Sequence, residues 1–317
     1  MRCLSISQTT AIAIVYAVAS AFISPDLACG QNKNYPPKLE GAQVEVYKQI
    51  GEVQLSVHIF QPTVTGDSKR PAIVFFFGGG WRSGSPKQFE QHCRYLSTRG
   101  MVAMTADYRV SSRHDVKAVS CVEDAKSAIR WIRENAERLR IDPNRVVAGG
   151  GSAGGHLAAC TGVLAEFDQS GENLDVSSKP NAMALFNPAL VLAPTDLGVI
   201  PKDKLAELEK RMGVPAEKLS PFHQLHESVP PTIIFHGKGD TTVPFATAEL
   251  FTEKLKGLGG ECQLVGYDEQ PHGFFNFGRS KNKYFQETVR RLDQFLVEHE
   301  YLTGEPSPEA LAILESR

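Results

Sequence analysis

The 317-residue chain lacks an excess of charge of either sign, since 34 Lys and Arg residues face 36 Asp and Glu residues and leave a formal net charge of −2. Binding to nucleic acid or to an anionic membrane surface depends on a strong positive field, so we expect no nucleic-acid partner. The sequence also lacks internal repeats and low-complexity segments. What remains is the composition of an ordinary globular protein, with 42% hydrophobic and 22% charged residues.

Cysteine is scarce, with six residues in the chain. Four of them follow the N-terminal segment: Cys93, Cys121, Cys160 and Cys262. Their wide spacing fits neither a zinc site, whose ligands come in pairs about two to four residues apart, nor a disulfide-dense scaffold. The sequence does not choose among the possible pairings, and a single Cys93–Cys121 bridge is conceivable in an oxidising compartment.

The one long hydrophobic run spans residues 11–23, after Arg2 and a polar stretch. It is too short for a comfortable membrane span but has the size of the apolar region of a secretory signal. We therefore expect residues 1–30 to be a signal peptide, cleaved near position 21 or 30. The protein would then be exported to the periplasm or beyond, with no stable membrane span after cleavage. The alternatives are an uncleaved N-terminal anchor and a lipoprotein tether at Cys29, which Asp26 disfavours.

Short apolar runs without polar alternation, typical of strands buried on both faces, alternate with helical patterns along the chain. The predicted strands cover residues 44–48, 53–60, 72–77, 102–106, 145–148, 182–186, 232–235 and 262–265. The predicted helices cover residues 87–98, 116–138, 153–166, 246–258 and 284–299. This order predicts an α/β fold with a mostly parallel sheet of about eight strands and helices on both faces.

Two segments depart from the alternation. Residues 188–229, an insertion after the sixth strand, contain several prolines and a short charged helix at 202–212. Insertions of this kind run over the surface and often cover a site; packing against an edge of the domain is the alternative. The C-terminal tail, residues 301–317, has two prolines close together after Gly304 and is predicted to be loosely held.

The segment Gly150-Gly151-Ser152-Ala153-Gly154 joins the fifth predicted strand to a helix. A turn this sharp exposes the serine hydroxyl at the C-terminal end of the strand, and the flanking glycines avoid collisions with strand and helix. We interpret Ser152 as a catalytic nucleophile. The alternative is a phosphate-binding turn, for which the Lys-Ser/Thr pair and the dinucleotide glycine spacing are missing.

A serine nucleophile needs a base and an orienting carboxylate. Asp240 follows the seventh predicted strand and His272 follows the eighth, so both are expected at the sheet edge that carries Ser152. The chain order Ser, Asp, His is the one found with a serine on a strand–turn–helix elbow. We predict Asp240 as the acid and His272 as the base, with Asp268 and Glu269 as the alternative acids.

The other histidines near these motifs receive structural interpretations. His156 lies one turn into the helix after Ser152 and cannot easily swing back to the hydroxyl. His236, at the end of a strand, is expected to support its loop. His223 and His226 lie in the insertion, either on the surface or along a substrate cleft.

Backbone N–H groups are needed to stabilise the oxyanion of an acyl-transfer intermediate. One donor is expected from Ala153, directly after the nucleophile. Further donors are expected from Gly78-Gly79-Gly80, which follows the third predicted strand, because glycine lets the backbone approach a substrate oxygen closely.

Six motifs occur together: Phe77-Gly-Gly-Gly-Trp81, Asp107-Tyr-Arg109, Asp124, Gly150-Gly-Ser-Ala-Gly154, His236-Gly-x-x-Asp240 and Pro271-His272-Gly273. Over residues 44–296 the chain resembles the hormone-sensitive-lipase and acetyl-esterase branch of the α/β-hydrolases. It is also similar to secreted esterases that remove acyl groups from plant polysaccharides, of the acetyl-xylan and feruloyl types. The resemblance implies an α/β-hydrolase catalytic domain at residues 31–300. It also implies oxyanion donors at Gly79 and Gly80, and stabilising roles around the site for Asp107, Arg109 and Asp124.

The chain departs from that family pattern at two points. Phe77 stands where the family usually has a histidine that helps to pin the oxyanion loop. Residues 110–113 replace the usual Pro-Glu after the Asp-Tyr-Arg motif. The backbone donors survive both changes, so the departures concern loop geometry and acyl preference, and they favour a carbohydrate esterase over a lipid esterase.

We predict a carboxylic-ester hydrolase that acts on short-acyl (acetyl) or carbohydrate esters through an acyl-enzyme on Ser152. Its substrate would be a small molecule or a polysaccharide-linked ester, and the chemistry requires no metal or organic cofactor. The shortness of the insertion motivates the expectation of short acyl chains. Two alternatives are a serine peptidase of the prolyl-oligopeptidase kind, which shares the fold and the order of the three residues, and a non-catalytic binding protein on a hydrolase scaffold, which should have lost one of them or the glycines.

Overall fold

The computed structural model describes residues 35–62, 68–196, 198, 200, 203 and 205–315. The predicted signal peptide, with its alternative tether at Cys29, lies outside the described residues. Within the described ranges no helix combines the length and the apolar character needed to cross a membrane.

Eight strands form one sheet in the order β1-β2-β4-β3-β5-β6-β7-β8. Only β2 runs antiparallel to its neighbours, and β3 to β8 are mutually parallel. This confirms the predicted mostly parallel sheet. The strands are β1 Gln43–Ile50, β2 Val53–Phe60, β3 Arg70–Phe76, β4 Val102–Ala106, β5 Ile141–Gly151, β6 Ala182–Phe186, β7 Thr232–Gly237 and β8 Cys262–Tyr267.

Helices cover both faces of the sheet. They are α1 Glu90–Thr98, α2 Ser111–His114, α3 Ala118–Glu134, α4 Ala153–Val163, α5 Leu205–Met212, α6 Phe245–Gly257, α7 Lys283–Glu298 and α8 Pro308–Glu315. Apolar residues of α1, α7 and α8 pack on one face, and those of α3, α4 and α6 pack on the other. Alternate residues of β3 serve the two cores, since Val74 joins one and Phe75 joins the other.

The four cysteines among the described residues, Cys93, Cys121, Cys160 and Cys262, are free and buried. Cys93 on α1 packs in one core, whereas Cys121 on α3 packs in the other. Because the sheet separates the two side chains, the Cys93–Cys121 bridge considered above is wrong. The thiol of Cys121 donates instead to the carbonyl oxygen of Arg109.

Several element boundaries differ from the predictions. β5 runs from Ile141 to Gly151 rather than over residues 145–148. Its three final glycines continue the ladder, and a Cβ at Gly149 would lie 2.7 Å from the ring of Phe75, which explains why glycine stands there. α3 and α4 end four and three residues earlier than predicted.

The C-terminal tail is held firmly, which corrects the expectation of a loose segment. Residues 308–315 form α8, and its apolar side chains Ala310 and Leu314, one turn apart, are buried. The guanidinium of Arg99 donates to the carbonyl oxygens of Gly304 (2.6 Å) and Glu305 (3.0 Å). The prolines and glycine therefore form a turn before a docked helix.

The insertion lies between β6 and β7, as predicted, and packs against the core. The described part of its charged helix is α5, Leu205–Met212, and residue 202, where the predicted helix begins, lies outside the described residues. Met212, Ala216 and Leu219 are fully buried in the core that contains α3 and α4. The insertion is therefore anchored beside the helix that follows Ser152.

Candidate active site

Ser152 occupies the turn between β5 and α4, with φ 54° and ψ −118°. This left-handed conformation is unusual for a residue with a side chain and is typical of functional turns. Its N–H donates to the carbonyl oxygen of Phe186 at 2.8 Å, which ties the turn to β6. A Cβ at Gly154 would lie 2.0 Å from the carbonyl oxygen of Phe76, so this position requires glycine. The local sequence thus forces the hydroxyl out at the C-terminal edge of the sheet.

His272 connects the serine to an aspartate. Its Nε2 lies 2.9 Å from Oγ of Ser152, and its Nδ1 lies 2.7 Å from Oδ2 of Asp240. Asp240 follows β7 and His272 follows β8, so two adjacent strands deliver the pair to the serine. The structure therefore brings together the three residues that the sequence singled out. The alternative acids Asp268 and Glu269 are exposed and do not contact the imidazole.

The carboxylate of Asp240 is buried and held by several donors. Its Oδ1 accepts the N–H groups of residues 242 and 243 at 2.8 and 2.9 Å, and its Oδ2 accepts Nδ2 of Asn187 at 2.6 Å. Burial raises the pKa of Asp240, but hydrogen bonds from His236 and His272 outweigh it and hold the pKa below its ordinary value. Asp240 is therefore ionised and oriented towards His272 at neutral pH.

His236 supports the aspartate loop, as interpreted from the sequence. Its Nε2 lies 2.8 Å from the carbonyl oxygen of Val243 and 3.4 Å from Oδ2 of Asp240. The two insertion histidines bond locally: His223 lies 2.7 Å from Oγ of Ser220, and His226 bonds to Ser228. Their contacts lie within the insertion and do not join them to the Ser152 cluster.

The three glycines after β3 differ in whether their N–H groups are already bonded. The N–H of Gly78 donates to Oε1 of Gln88 at 2.6 Å and is therefore already used. The N–H groups of Gly79 and Gly80 have no partner among the described residues, and Ala153, as the first residue of α4, has an N–H that precedes the helix's own bonds. These three amides are free to donate to an oxyanion. The position after Ser152 predicted Ala153 and the resemblance implied Gly79 and Gly80, whereas Gly78, also among the glycines expected to donate, is bonded to Gln88.

Positive φ angles shape this oxyanion loop, residues 78–81. Gly79 has φ 129° and Gly80 has φ 64°. A Cβ at Gly79 would lie 2.1 Å from the carbonyl oxygen of Ser83, so the loop could not close on any other residue there.

A pair of side-chain amides links the oxyanion loop to the histidine loop. Nε2 of Gln88 donates to Oδ1 of Asn276 at 2.8 Å, and Nδ2 of Asn276 donates to the carbonyl oxygen of Gly273 at 2.8 Å. Gly273 directly follows His272, while Oε1 of Gln88 accepts the N–H of Gly78. Sequence reasoning missed both amides, because neither belongs to a motif.

Phe77 explains how the loop is held without the histidine that the family usually has. Its ring is fully buried and stacks on Tyr108 with ring centroids 4.1 Å apart. The hydroxyl of Tyr108 donates to the carbonyl oxygen of Phe77 at 2.7 Å. A stacked pair and one buried hydrogen bond therefore fix the start of the loop.

The charged motifs upstream form a buried network beside the site. Asp124 is fully buried between Arg109, at 2.8 Å, and Lys48, at 2.7 Å. Asp107 accepts hydrogen bonds from the Tyr35 hydroxyl and from its neighbouring N–H, and burial raises its pKa to about 6. This arrangement fits the stabilising role that the resemblance implied. Among the described residues no cluster of His, Cys, Asp or Glu could hold a metal ion.

An eight-stranded, mostly parallel sheet with a serine on the turn after β5, an aspartate after β7 and a histidine after β8 defines the class of the α/β-hydrolases. Within that class, residues 57–255 match the family described as BD-FAE, and the chain belongs to this family. The matched stretch contains the oxyanion loop, Ser152 and Asp240, and it ends before His272.

Three curated relatives are named as esterases. Esterase LipC of Mycobacterium tuberculosis is 29% identical over 64% of this chain and 53% of its own length. Isoprenylcysteine alpha-carbonyl methylesterase ICME of Arabidopsis thaliana is 28% identical over 65% of this chain and 51% of its own length. The chain thus spans about half the length of these relatives. Carboxylesterase NlhH of M. tuberculosis is 27% identical, over 72% of this chain and 73% of its own length.

Solved structures of Thermogutta terrifontis esterase 2, a thermophilic esterase from a Planctomycetes species, are similar over most of the chain. The native form aligns with a TM-score of 0.82 and 48% identity, over 86% of this chain and 98% of that chain. The butyrate-bound form aligns with a TM-score of 0.82 and 49% identity, over 86% and 99%. Fold and family therefore place the chain among the α/β-hydrolase esterases.

Proposed function

We propose that the protein is a serine carboxylesterase that cleaves short-acyl esters through an acyl-enzyme on Ser152. The observation that carries the proposal is the position of His272, whose Nε2 lies 2.9 Å from Oγ of Ser152 while its Nδ1 lies 2.7 Å from Oδ2 of Asp240. A histidine in this position can take the serine proton on one side while a fixed anion stabilises the resulting imidazolium on the other.

Each step of the reaction has a residue suited to it. Nε2 of His272 accepts the proton of Ser152 as Oγ attacks the ester carbonyl, and the amides of Gly79, Gly80 and Ala153 donate to the oxyanion. The intermediate collapses, and His272 returns the proton to the departing alcohol. Water then enters, gives a proton to the same nitrogen and attacks the acyl group, so that the acid leaves and Ser152 regains its proton.

Two observations support a short acyl group. The insertion is short, and Met212, Ala216 and Leu219 anchor it in the core. T. terrifontis esterase 2, 49% identical to this chain, has solved structures with propionate bound and with butyrate bound.

The alcohol half of the ester is proposed to be a sugar, free or within a polysaccharide. The support is the resemblance to polysaccharide esterases, together with the departures at Phe77 and at residues 110–113. The apolar run at residues 11–23 supports export, which would bring the enzyme to such extracellular substrates. N-terminal sequencing of the protein recovered outside the cytoplasm tests this part: a start near residue 22 or 31 supports it, and an intact residue 1 contradicts it.

Hydrolysis rates of the parent, Ser152→Ala and Ser170→Ala test the reaction. Ser170 is exposed and far along the chain from the site motifs, so it is the matched control. The substrates are p-nitrophenyl acetate, butyrate and decanoate, acetylated xylan, a feruloylated sugar and a peptide amide. We expect the parent and the control to hydrolyse the acetate and butyrate well and the decanoate poorly. A Ser152→Ala protein with the parental rate would refute the mechanism.

The same panel separates the alternatives. Faster cleavage of the peptide amide than of the esters would favour the peptidase interpretation. Activity that rises with acyl length up to the decanoate would remove the short-acyl proposal. Hydrolysis of p-nitrophenyl acetate without release of acid from acetylated xylan or the feruloylated sugar would remove the sugar ester and leave the esterase.

A further inference from the structure

Trp81 ends the oxyanion loop in a backbone conformation that tryptophan rarely adopts. Its φ is 59°, although it is not a glycine and directly follows Gly80. Such a conformation persists when the surroundings enforce it. The carbonyl oxygen of Trp81 accepts the N–H of Ser111 at 3.0 Å on one side. On the other side the indole is held by a buried histidine.

That histidine is His156, in the first turn of α4. Nε1 of Trp81 donates to Nδ1 of His156 at 3.1 Å, and the two rings meet edge to face with centroids 5.0 Å apart. Nε2 of His156 lies 2.7 Å from the carbonyl oxygen of Leu219, in the insertion. His156 is fully buried. One side chain therefore joins the helix after Ser152, the oxyanion loop and the insertion.

The partners of His156 determine its protonation state. An indole N–H can only donate and a carbonyl oxygen can only accept, so the ring must be neutral with its proton on Nε2. Burial lowers the pKa of His156 to about 4, and the neutral ring is the dominant form at the pH where an esterase of this kind works.

The oxyanion loop is held by side chains at both ends, and between them the carbonyl oxygen of Gly79 accepts the N–H groups of Arg82 and Ser83, each at 3.1 Å. At the start, Gly78 donates to Gln88; at the end, Trp81 donates to His156. Between the two anchors lie only Gly79 and Gly80, whose backbone has no side chain to restrain it. The direction of their N–H groups then depends on the two anchors together with these backbone bonds. Arg211 of the insertion adds a third contact, because its Nη2 lies 3.2 Å from the carbonyl oxygen of Gly80.

We propose that His156 is a positioning residue for the oxyanion hole: it holds Trp81, and through Trp81 it fixes the direction in which Gly79 and Gly80 present their N–H groups. The proposal deepens the esterase function proposed above and rests on it. The same contact couples the insertion to the oxyanion loop, because Leu219 of the insertion bonds to Nε2 of the His156 ring.

Three variants separate the contact to Trp81 from those at Nε2, where Sγ of Cys160 also lies 3.3 Å away, and a fourth variant is the control. His156→Asn places an acceptor oxygen where Nδ1 stands and loses the donor to Leu219, whereas His156→Gln keeps a donor near Nε2 and loses the acceptor for Trp81. Trp81→Phe removes the indole donor and keeps a ring. His58→Gln is the matched control, because His58 is also fully buried and also bonds a backbone carbonyl, that of Pro37 at 2.9 Å.

The expected result is a loss confined to the chemical step. His156→Gln and Trp81→Phe should lower kcat for p-nitrophenyl butyrate about 10- to 100-fold with KM changed less than about threefold, because a displaced oxyanion donor matters only in the transition state. Affinity for a boronic-acid transition-state analogue should fall by the same factor as kcat. His156→Asn should retain more kcat than His156→Gln. The double variant His156→Gln/Trp81→Phe should be no slower than the slower single variant, since both remove one interaction.

An NMR signal reports the hydrogen bond between Trp81 and His156 independently of activity. The chain has two tryptophans, Trp81 and Trp131, so a ¹⁵N-indole spectrum contains two cross-peaks. The Trp81 indole proton should move and lose its protection from solvent exchange in His156→Gln, and it should stay in place in His58→Gln. Unchanged kcat in folded His156→Gln and Trp81→Phe proteins would overturn the positioning role. A parent that cleaves no ester would instead overturn the proposed function, while the indole spectra still report whether the hydrogen bond exists.

Discussion

The side-chain amide of Asn187 donates to Oδ2 of Asp240 over 2.6 Å, and the same oxygen faces Nδ1 of His272 at 2.7 Å. Asn187 follows β6 with φ 43° and is fully buried. Asparagine tolerates this left-handed conformation better than most residues do. The end of β6 thus supplies a fixed donor to the acid that follows β7, and Asp240 is held from two neighbouring strands.

Asn187→Gly removes that donor without straining the backbone, since glycine accepts a positive φ freely. We expect kcat to fall roughly tenfold with KM nearly unchanged, the effect of losing about 1.4 kcal/mol of orientation in the transition state. Steady-state kinetics on p-nitrophenyl butyrate measures it. Asn144→Gly, an exposed site at the opposite end of the sheet, is the control. Full kcat in Asn187→Gly would show that Asp240 needs no second support.

Asn187→Asp should be the more damaging change at the same position. A second carboxylate would then face Oδ2 of Asp240 inside the protein, and two like charges this close cannot both ionise. One of the two would take up a proton and compete with His272 for the hydrogen bond. The pH at which kcat/KM is greatest should therefore rise. The value of kcat/KM at that pH should be lower than the maximum of the parent. A pH profile identical to that of Asn187→Gly would contradict this prediction.

Gln88 is expected to matter through both ends of its amide. Gln88→Glu keeps an acceptor for the N–H of Gly78 and loses the donor to Asn276, whereas Gln88→Met loses both bonds. With one hydrogen bond contributing about 1 kcal/mol, kcat should fall about fivefold in Gln88→Glu and further in Gln88→Met. Measuring both against the parent checks this order. Equal rates in all three proteins would remove Gln88 from the support of the site.

His92 should make stability depend on pH. It is fully buried among aromatic rings, neither ring nitrogen has a hydrogen-bond partner within the described ranges, and burial lowers its pKa from 6.5 to about 3. Because the folded-state pKa lies below the unfolded value, the contribution of the neutral ring is fully present above about pH 6.5 and is lost as pH falls towards 3. Between pH 7 and pH 5 the loss is about 2 kcal/mol.

Urea unfolding of the parent and of His92→Phe at both pH values isolates this contribution. The variant keeps a ring in the aromatic cluster and has nothing to protonate there. We expect the free energy of unfolding of the parent to drop by about 2 kcal/mol more than that of His92→Phe on going from pH 7 to pH 5. Equal drops in the two proteins would show that His92 does not govern this pH range.

Restoring the usual histidine of the family by Phe77→His should harm this protein. The imidazole would lose the stack on Tyr108 and be buried without an evident partner, at a cost of about 1–3 kcal/mol. Thermal unfolding should therefore begin at a lower temperature, and kcat should not rise; Phe77→Leu serves as the control for lost stacking. A gain in kcat at unchanged stability would mean that the Phe77–Tyr108 pair holds the loop less well than the histidine does.

The features that the sequence predicted are those with local causes. Apolar runs ended by glycine or a polar loop predicted all eight strands, because a strand buried on both faces has no polar alternation. The Ser152 turn was predictable because a sharp strand–helix junction requires its glycines. Asp240 and His272 followed from their positions after consecutive strands, since parallel strands end at one edge of the sheet.

The supporting residues could not be predicted in the same way. Asn187 meets a partner 53 positions away and Gln88 meets one 188 positions away, and neither stands in a motif. The place of His156 on α4 predicts only a structural role away from the serine hydroxyl, because its bond to Trp81 depends on the path of the oxyanion loop. The sequence did not predict α8, because the nearby glycine and prolines indicate a loop and the apolar pair Ala310 and Leu314 is short for a helical pattern.

The site of covalent attack by an organophosphate tests the central claim most directly. T. terrifontis esterase 2 is described as phosphonylated by sarin and phosphorylated by paraoxon. Treating this protein with paraoxon and mapping the adduct by peptide mass spectrometry should give one diethylphosphoryl group, on Ser152, whose extent rises in step with the loss of esterase activity. Esterase activity that survives complete labelling of Ser152, or that disappears while Ser152 stays unmodified, would contradict the account.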